Sequence, residues 1–90
     1  MLNLYTTAFS TLPTAEQLSD FYNLTKAQSR LVIALMQGKS SEEAAAHLNV
    51  SVNTVRSHLR AIYSKLGTDN KADLVRIVSA TLVGYLTTPS

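Results

Sequence analysis

Residues 40–67 read SSEEAAAHLNVSVNTVRSHLRAIYSKLG, a stretch that fits two helices with almost nothing between them. Ser40-x-x-Glu43 has the spacing of a capping box, Glu42 and Glu43 fall in the first turn where the helix dipole favours acids, and Ala44, Ala45 and Leu48 follow. Asn49 is a residue type that stops a helix. Ser51, two positions on, is placed to cap a second helix through Thr54. Val52, Val55, Leu59, Ile62 and Leu66 then recur at spacings of three and four until Gly67 ends the run. A short alanine-rich helix, a tight turn and a longer helix are the parts of a helix-turn-helix.

The flanking sequence supplies more helices of the same kind. Pro13 precedes Thr14-x-x-Gln17, another capping-box spacing, and Leu18, Phe21 and Tyr22 make an apolar face for a short helix. Thr25-x-x-Gln28 repeats the device, with Ala27, Leu31, Ala34 and Leu35 at helical spacing up to Gly38. A last helix is expected from Asn70 through Leu74, Val75, Val78, Leu82, Tyr85 and Leu86. That stripe is long for one small domain, so Leu74, Val78, Leu82 and Tyr85 are candidates for a dimer interface, with the first turns also suited to core packing. The expectation is an all-α fold: a small bundle of four core helices containing a helix-turn-helix, plus a short N-terminal helix. Residues 1–23 are read as an extension bearing that short helix, 24–86 as the domain and 87–90 as a tail.

Ninety residues, 46% hydrophobic and 16% charged, suit one domain with little room for a deep cleft. There is no cysteine, and His47 and His58 fall on separate expected helices without clustered acids, so neither a metal nor a cofactor is expected. The opening MLNLYTTAFSTLPTAEQL has no basic leader, and no apolar run reaches membrane-spanning length. A cytoplasmic protein without membrane contact is expected. No enzyme is expected either: the chain lacks a nucleophile–base–orienter set and a phosphate-cradling glycine loop. Glu42 and Glu43, adjacent on a helix, point about 100° apart and suit the first turn better than paired acid–base work.

The net charge of +2 conceals its placement. Residues 51–66 carry Arg56, Arg60 and Lys65 with no acid, giving +3, whereas 1–23 carry Glu16 and Asp20, giving −2. At about 100° per residue, Asn53, Arg56, Ser57, Arg60 and Ser64 gather opposite the apolar stripe. Arg56 and Arg60 project one turn apart, and a guanidinium donates bidentately to guanine O6 and N7, discriminating by about 1–3 kcal/mol. Ser57 lies between them. These three are the candidate base readers, with Asn53, Thr54 and Lys65 as candidate DNA-backbone contacts. His58, at the edge of the core arc, is read as structural, and His47 as an exposed helix residue.

The run from Leu24 to Ala80 resembles the DNA-binding domain of the LuxR (GerE-like) family of bacterial transcription regulators. The resemblance rests on Leu24-Thr25, Gly38-Lys39-Ser40, Leu48 with Val50-Ser51, Thr54-Val55-Arg56-x-His58, Ile62 and Lys65-Leu66-Gly67. It implies that Arg56, Ser57 and Arg60 face bases, that Asn53, Thr54 and Lys65 lie near phosphates, and that the last helix is the dimerisation element. The chain departs from the family pattern in the first helix, where Ala27, Gln28, Ser29 and Arg30 replace Arg-Glu-x-Glu, and before Ile62, where Ala61 replaces the family's asparagine. Lys71 follows Asn70 where arginine is common. With Gln28 in place of a carboxylate, no ion pair between the first and last helices is expected, and stability is expected to lean on packing.

The function expected is sequence-specific binding of double-stranded DNA, as a homodimer on paired half-sites, with the helix at about 52–66 in the major groove. RNA polymerase is a further candidate partner. Two rivals remain: a protein-interaction module that heterodimerises with a related regulator and blocks it, and a promoter-reading piece of a sigma factor. Residues 1–23 are too few for a sensor domain of ordinary size. The chain is therefore read either as a regulator without its own sensor or as part of a longer one.

Overall fold

Hydroxyl side chains start four of the five helices found among the described residues. The computed structural model describes residues 12–87, and the side chains of residues 12–81. The helices are α1 (Ala15–Tyr22), α2 (Lys26–Met36), α3 (Ser41–Leu48), α4 (Val52–Leu66) and α5 (Lys71–Thr87). Thr14, Thr25 and Ser40 cap α1, α2 and α3 in complete capping boxes closed by Gln17, Gln28 and Glu43. Ser51 caps α4 by accepting from the Thr54 N–H at 3.0 Å. At α5 the Asn70 carboxamide oxygen accepts from the Asp73 N–H at 2.8 Å. Each cap satisfies amide donors that the first helical turn leaves without an intrahelical partner.

The helices stop where a residue turns left-handed. Asn23 (φ 57°), Gly38 (φ 92°), Asn49 (φ 60°) and Gly67 (φ 73°) follow α1, α2, α3 and α4. After Asn49 the Val50 N–H returns to the Ala45 carbonyl at 3.0 Å, which turns the chain within three residues and aims α4 across α3. At Gly67 a Cβ would meet nothing within 4 Å, so the glycine answers a backbone requirement and not a lack of space.

Central to the bundle is α2, which packs against each of the other four helices. Leu31, Val32, Ala34 and Leu35 from α2 form one core with Leu18, Leu24, Ala44, Ala45, Val55, Leu59, Ile62, Leu74 and Val78. Ala44 and Ala45 are buried because a small side chain lets α3 lie close against its neighbours. Surrounded on most sides, α2 buries more than its apolar stripe. Gln28 and Ser29 are inside, and the Ser29 hydroxyl has no hydrogen-bond partner among the described residues. Ala27, expected on the apolar face, is exposed.

Burial bears on two of the expectations. Leu74 and Val78 are 0% and 1% exposed within the single chain, so their side chains fill this core and offer no surface to a second copy. Leu82 and Tyr85, the other two candidates for the interface, lie outside the residues whose side chains are described. The short N-terminal helix is present and joins the bundle: Leu18 of α1 is 1% exposed in the common core, and the Tyr22 hydroxyl donates to the Thr81 hydroxyl of α5. Phe21, at 43% exposure, keeps its ring edge-on to Tyr22.

Candidate nucleic-acid interface

The circumference of α4 divides as its sequence spacing implies. Val55, Leu59 and Ile62 are buried, Val52 and Leu66 are half-buried at the margins, and Asn53, Arg56, Ser57, Arg60 and Ser64 are exposed. A helix anchored by its inner arc holds the outer arc rigid and outward. Its 15 residues give a rod of about 22 Å at 1.5 Å per residue, long enough to follow several base edges.

The three candidate base readers, Arg56, Ser57 and Arg60, thus share one exposed face. Arg56 Nη1 lies 3.5 Å from Asn53 Oδ1, a long contact between neighbours on that arc. Arg60 has no hydrogen-bond or ion-pair partner among the described residues. Three cations outside α4 are engaged with neighbours. Lys71 donates to the Lys39 carbonyl at 2.9 Å, Lys39 to Gln37 Oε1 at 3.1 Å, and Arg76 pairs with Asp73 at 2.7 Å.

At its N-terminus α4 differs from the three helices before it. Its third residue is Thr54 in place of Gln or Glu, so no side-chain carbonyl or carboxylate folds back over the cap, and the first turn holds no acid. The Thr54 and Ser51 hydroxyls lie 2.9 Å apart. Asn53 and Thr54, the first two candidate backbone contacts, therefore flank an open positive helix end, a setting that favours an anion.

The third candidate, Lys65, has a different task. Its ammonium donates to the Asn23 carbonyl at 2.7 Å and to Gln28 Oε1 at 3.0 Å, tying the last turns of α4 to the α1–α2 junction. Lys65 lies on the flank of α4 that also carries His58, well away from the outer arc, and that angular offset was the available sign. Gln28, where the family pattern has a carboxylate, thus caps its own helix and holds Lys65 as well, accepting from the Thr25 N–H at 2.9 Å. His58 is half-buried and lines a shallow notch with Val50, Val55 and Arg30.

Remaining electrostatic perturbations are structural. The Ser40 backbone N–H, then its hydroxyl, hold the Glu43 carboxyl below its usual range. The Thr68 hydroxyl, then Arg76, do the same for Asp73, while burial pushes the Tyr63 hydroxyl up. Among the described residues, no three His, Cys, Asp or Glu side chains gather into a possible metal site. Nor is any helix among them long and apolar enough to cross a membrane.

Known proteins match the chain across these helices. The pattern of the family described as bacterial regulatory proteins, luxR family, matches residues 22–78, from the end of α1 to the middle of α5. The chain is 38% identical over 55 residues to a probable transcriptional regulatory protein, SgaR, of Hyphomicrobium methylovorum, covering 61% of this chain and 26% of that protein. It is 32% identical over 53 residues to the HTH-type transcriptional regulator MalT of Klebsiella pneumoniae, covering 59% of this chain and 6% of the relative. It is 27% identical over 64 residues to a putative HTH-type transcriptional regulator, YhjB, of Escherichia coli, covering 71% and 32%. The chain thus spans a third or less of each of these relatives. No solved structure matches it.

Proposed function

The chain belongs to the LuxR family of bacterial regulatory proteins, a family of DNA-binding helix-turn-helix transcription regulators, and on that premise we propose how it engages DNA. It binds duplex DNA sequence-specifically with α4 in the major groove, Arg56, Ser57 and Arg60 reading base edges. The open N-terminus of α4, with Asn53 and Thr54, holds the phosphate backbone. The carrying observation is the exposed, acid-free arc of Asn53, Arg56, Ser57 and Arg60 on the side of α4 away from the buried Val55, Leu59 and Ile62. Lys65 and the first turns of α5 are left out of the contact because the fold itself uses them.

Affinity and specificity come from different atoms. Phosphate contacts release counterions and weaken with salt, at a slope near −0.9 in log K against log[salt] per phosphate neutralised. The arginines select sequence, because a guanidinium facing the wrong base loses its bidentate pair. With only two arginines on the arc, one copy reads few base pairs. Homodimerisation on paired half-sites completes the proposal, and it falls to the later turns of α5, where the sequence positions Leu82 and Tyr85 continue the spacing set by Leu74 and Val78. Occupancy of a promoter brings the chain within reach of RNA polymerase, the other partner in this reading.

Selection of bound duplexes from a random pool tests it. Recovery of inverted half-sites supports the homodimer, and recovery of single sites supports a monomeric reader. Failure to retain any duplex at low salt would overturn the proposal in favour of a module that pairs with a related regulator.

A further inference from the structure

Outside α4, Arg30 of α2 is an exposed cation that shares a notch with residues of the early turns of α4. Arg30 lines two adjoining notches: one shared with His47 and Leu48, the other with Val50, Val55 and His58. The second notch brings it to the edge of the turn that introduces α4, beside Val50, which is 40% exposed. On α4 the bordering residues are Val55, which is buried, and His58, one turn after Thr54.

Charge around Arg30 is uncompensated. No Asp or Glu lines either notch, and Arg30 has no hydrogen-bond or ion-pair partner among the described residues. Lys26, one turn earlier on the same helix, faces a different setting, because its notch is shared with Glu16 of α1. Lys39, Lys65, Lys71 and Arg76 are all engaged with neighbours in the fold. A guanidinium left free at the edge of a DNA-facing turn matches a phosphate, whose oxygens accept two parallel N–H bonds.

We propose that Arg30 is a second anchor on the DNA backbone, binding a phosphate beside the groove that α4 occupies, so that the duplex is held from α2 as well as α4. The inference rests on the reading that α4 docks into duplex DNA. Such a contact fixes the orientation of α4 and adds affinity without reading sequence. It also gives a compact chain with a net charge of only +2 a phosphate contact that does not depend on α4.

The test is the salt dependence of binding by wild type, Arg30→Gln, Arg30→Lys and Lys26→Gln. Fluorescence anisotropy on a duplex recovered by selection, between 50 and 200 mM salt, supplies the affinities, and melting curves verify that each variant is folded. Arg30→Gln is expected to lower the steepness of log K against log[salt] by about 0.9, so that the affinity ratio across this salt range shrinks by about 3.5-fold. Base preference stays unchanged, Arg30→Lys keeps the wild-type slope, and Lys26→Gln moves it by less than half as much. A wild-type slope in Arg30→Gln overturns the anchor while leaving the DNA reading intact. Equal changes in Arg30→Gln and Lys26→Gln overturn it too, since only general charge is then at work. Absence of wild-type binding to any duplex at 50 mM salt defeats the underlying reading, and the anchor with it.

Discussion

Lys65→Met separates the structural role of Lys65 from the phosphate contact its sequence position implies. Methionine keeps most of the aliphatic stem and removes the ammonium, so the bonds to the Asn23 carbonyl at 2.7 Å and Gln28 Oε1 at 3.0 Å are lost. A typical intramolecular hydrogen bond contributes about 0.5–1.5 kcal/mol net, and more when its removal strands a buried group. Neither acceptor is stranded here. Asn23 is exposed, so water replaces the ammonium at its carbonyl, and Gln28 Oε1 keeps the Thr25 N–H at 2.9 Å. The low end therefore applies to each bond, about 1 kcal/mol for the two together, which lowers the melting temperature by about 4–8 °C for a domain of this size. Circular dichroism melts and salt-dependent DNA titrations read the two roles independently. The structure predicts a lower melting temperature with an unchanged salt slope. An unchanged melting temperature with a slope reduced by about 0.9 would refute the assignment.

Other consequences follow from single residues. Leu18→Ala opens a cavity in the core that α1 shares with α2, and is expected to cost about 2–5 kcal/mol by chemical denaturation; a loss below about 1 kcal/mol would show α1 to be dispensable. Ser29→Ala removes a buried hydroxyl that has no partner among the described residues, so stability should hold or rise by up to about 1 kcal/mol, and a clear loss on denaturation would reveal a further partner. Thr68 and Arg76 lower the Asp73 pKa in the folded state, so the stability this group contributes is present above its unfolded value near 4 and fades as pH falls through the lower folded value. Melts of wild type and Asp73→Asn should therefore differ at pH 6 and converge towards pH 2, and a gap that persists in acid contradicts the linkage.

Much of the fold was legible because its signals are local. Thr14, Thr25, Ser40 and Ser51 begin helices, Asn49, Gly38 and Gly67 mark stops, and the spacing of Val55, Leu59 and Ile62 sets the inner face of α4. Capping and turning involve residues within a few positions of each other, and sequence carries those relations directly. What escaped depends on neighbours distant in the chain. Lys65 meets Asn23 across 42 residues, and no spacing rule reaches that far. Periodicity shows that Leu74 and Val78 share an apolar face without saying whether α2 or a second copy covers it. Ser29, off the apolar stripe, is buried because α2 is enclosed by four helices, which widens its buried arc.

The central claim, that the outer arc of α4 reads bases, is tested most directly by Arg60→Ala on a selected duplex and on variants changed one base pair at a time. Arg60 is exposed and without a partner among the described residues, so its loss is expected to leave the bundle intact. The account predicts that the variant loses about 5- to 150-fold on the selected duplex, equivalent to about 1–3 kcal/mol. It also predicts that preference flattens at one base pair while binding to unrelated duplexes is nearly retained. An equal loss on every duplex would contradict the claim, because that is how a phosphate contact behaves and not a base reader.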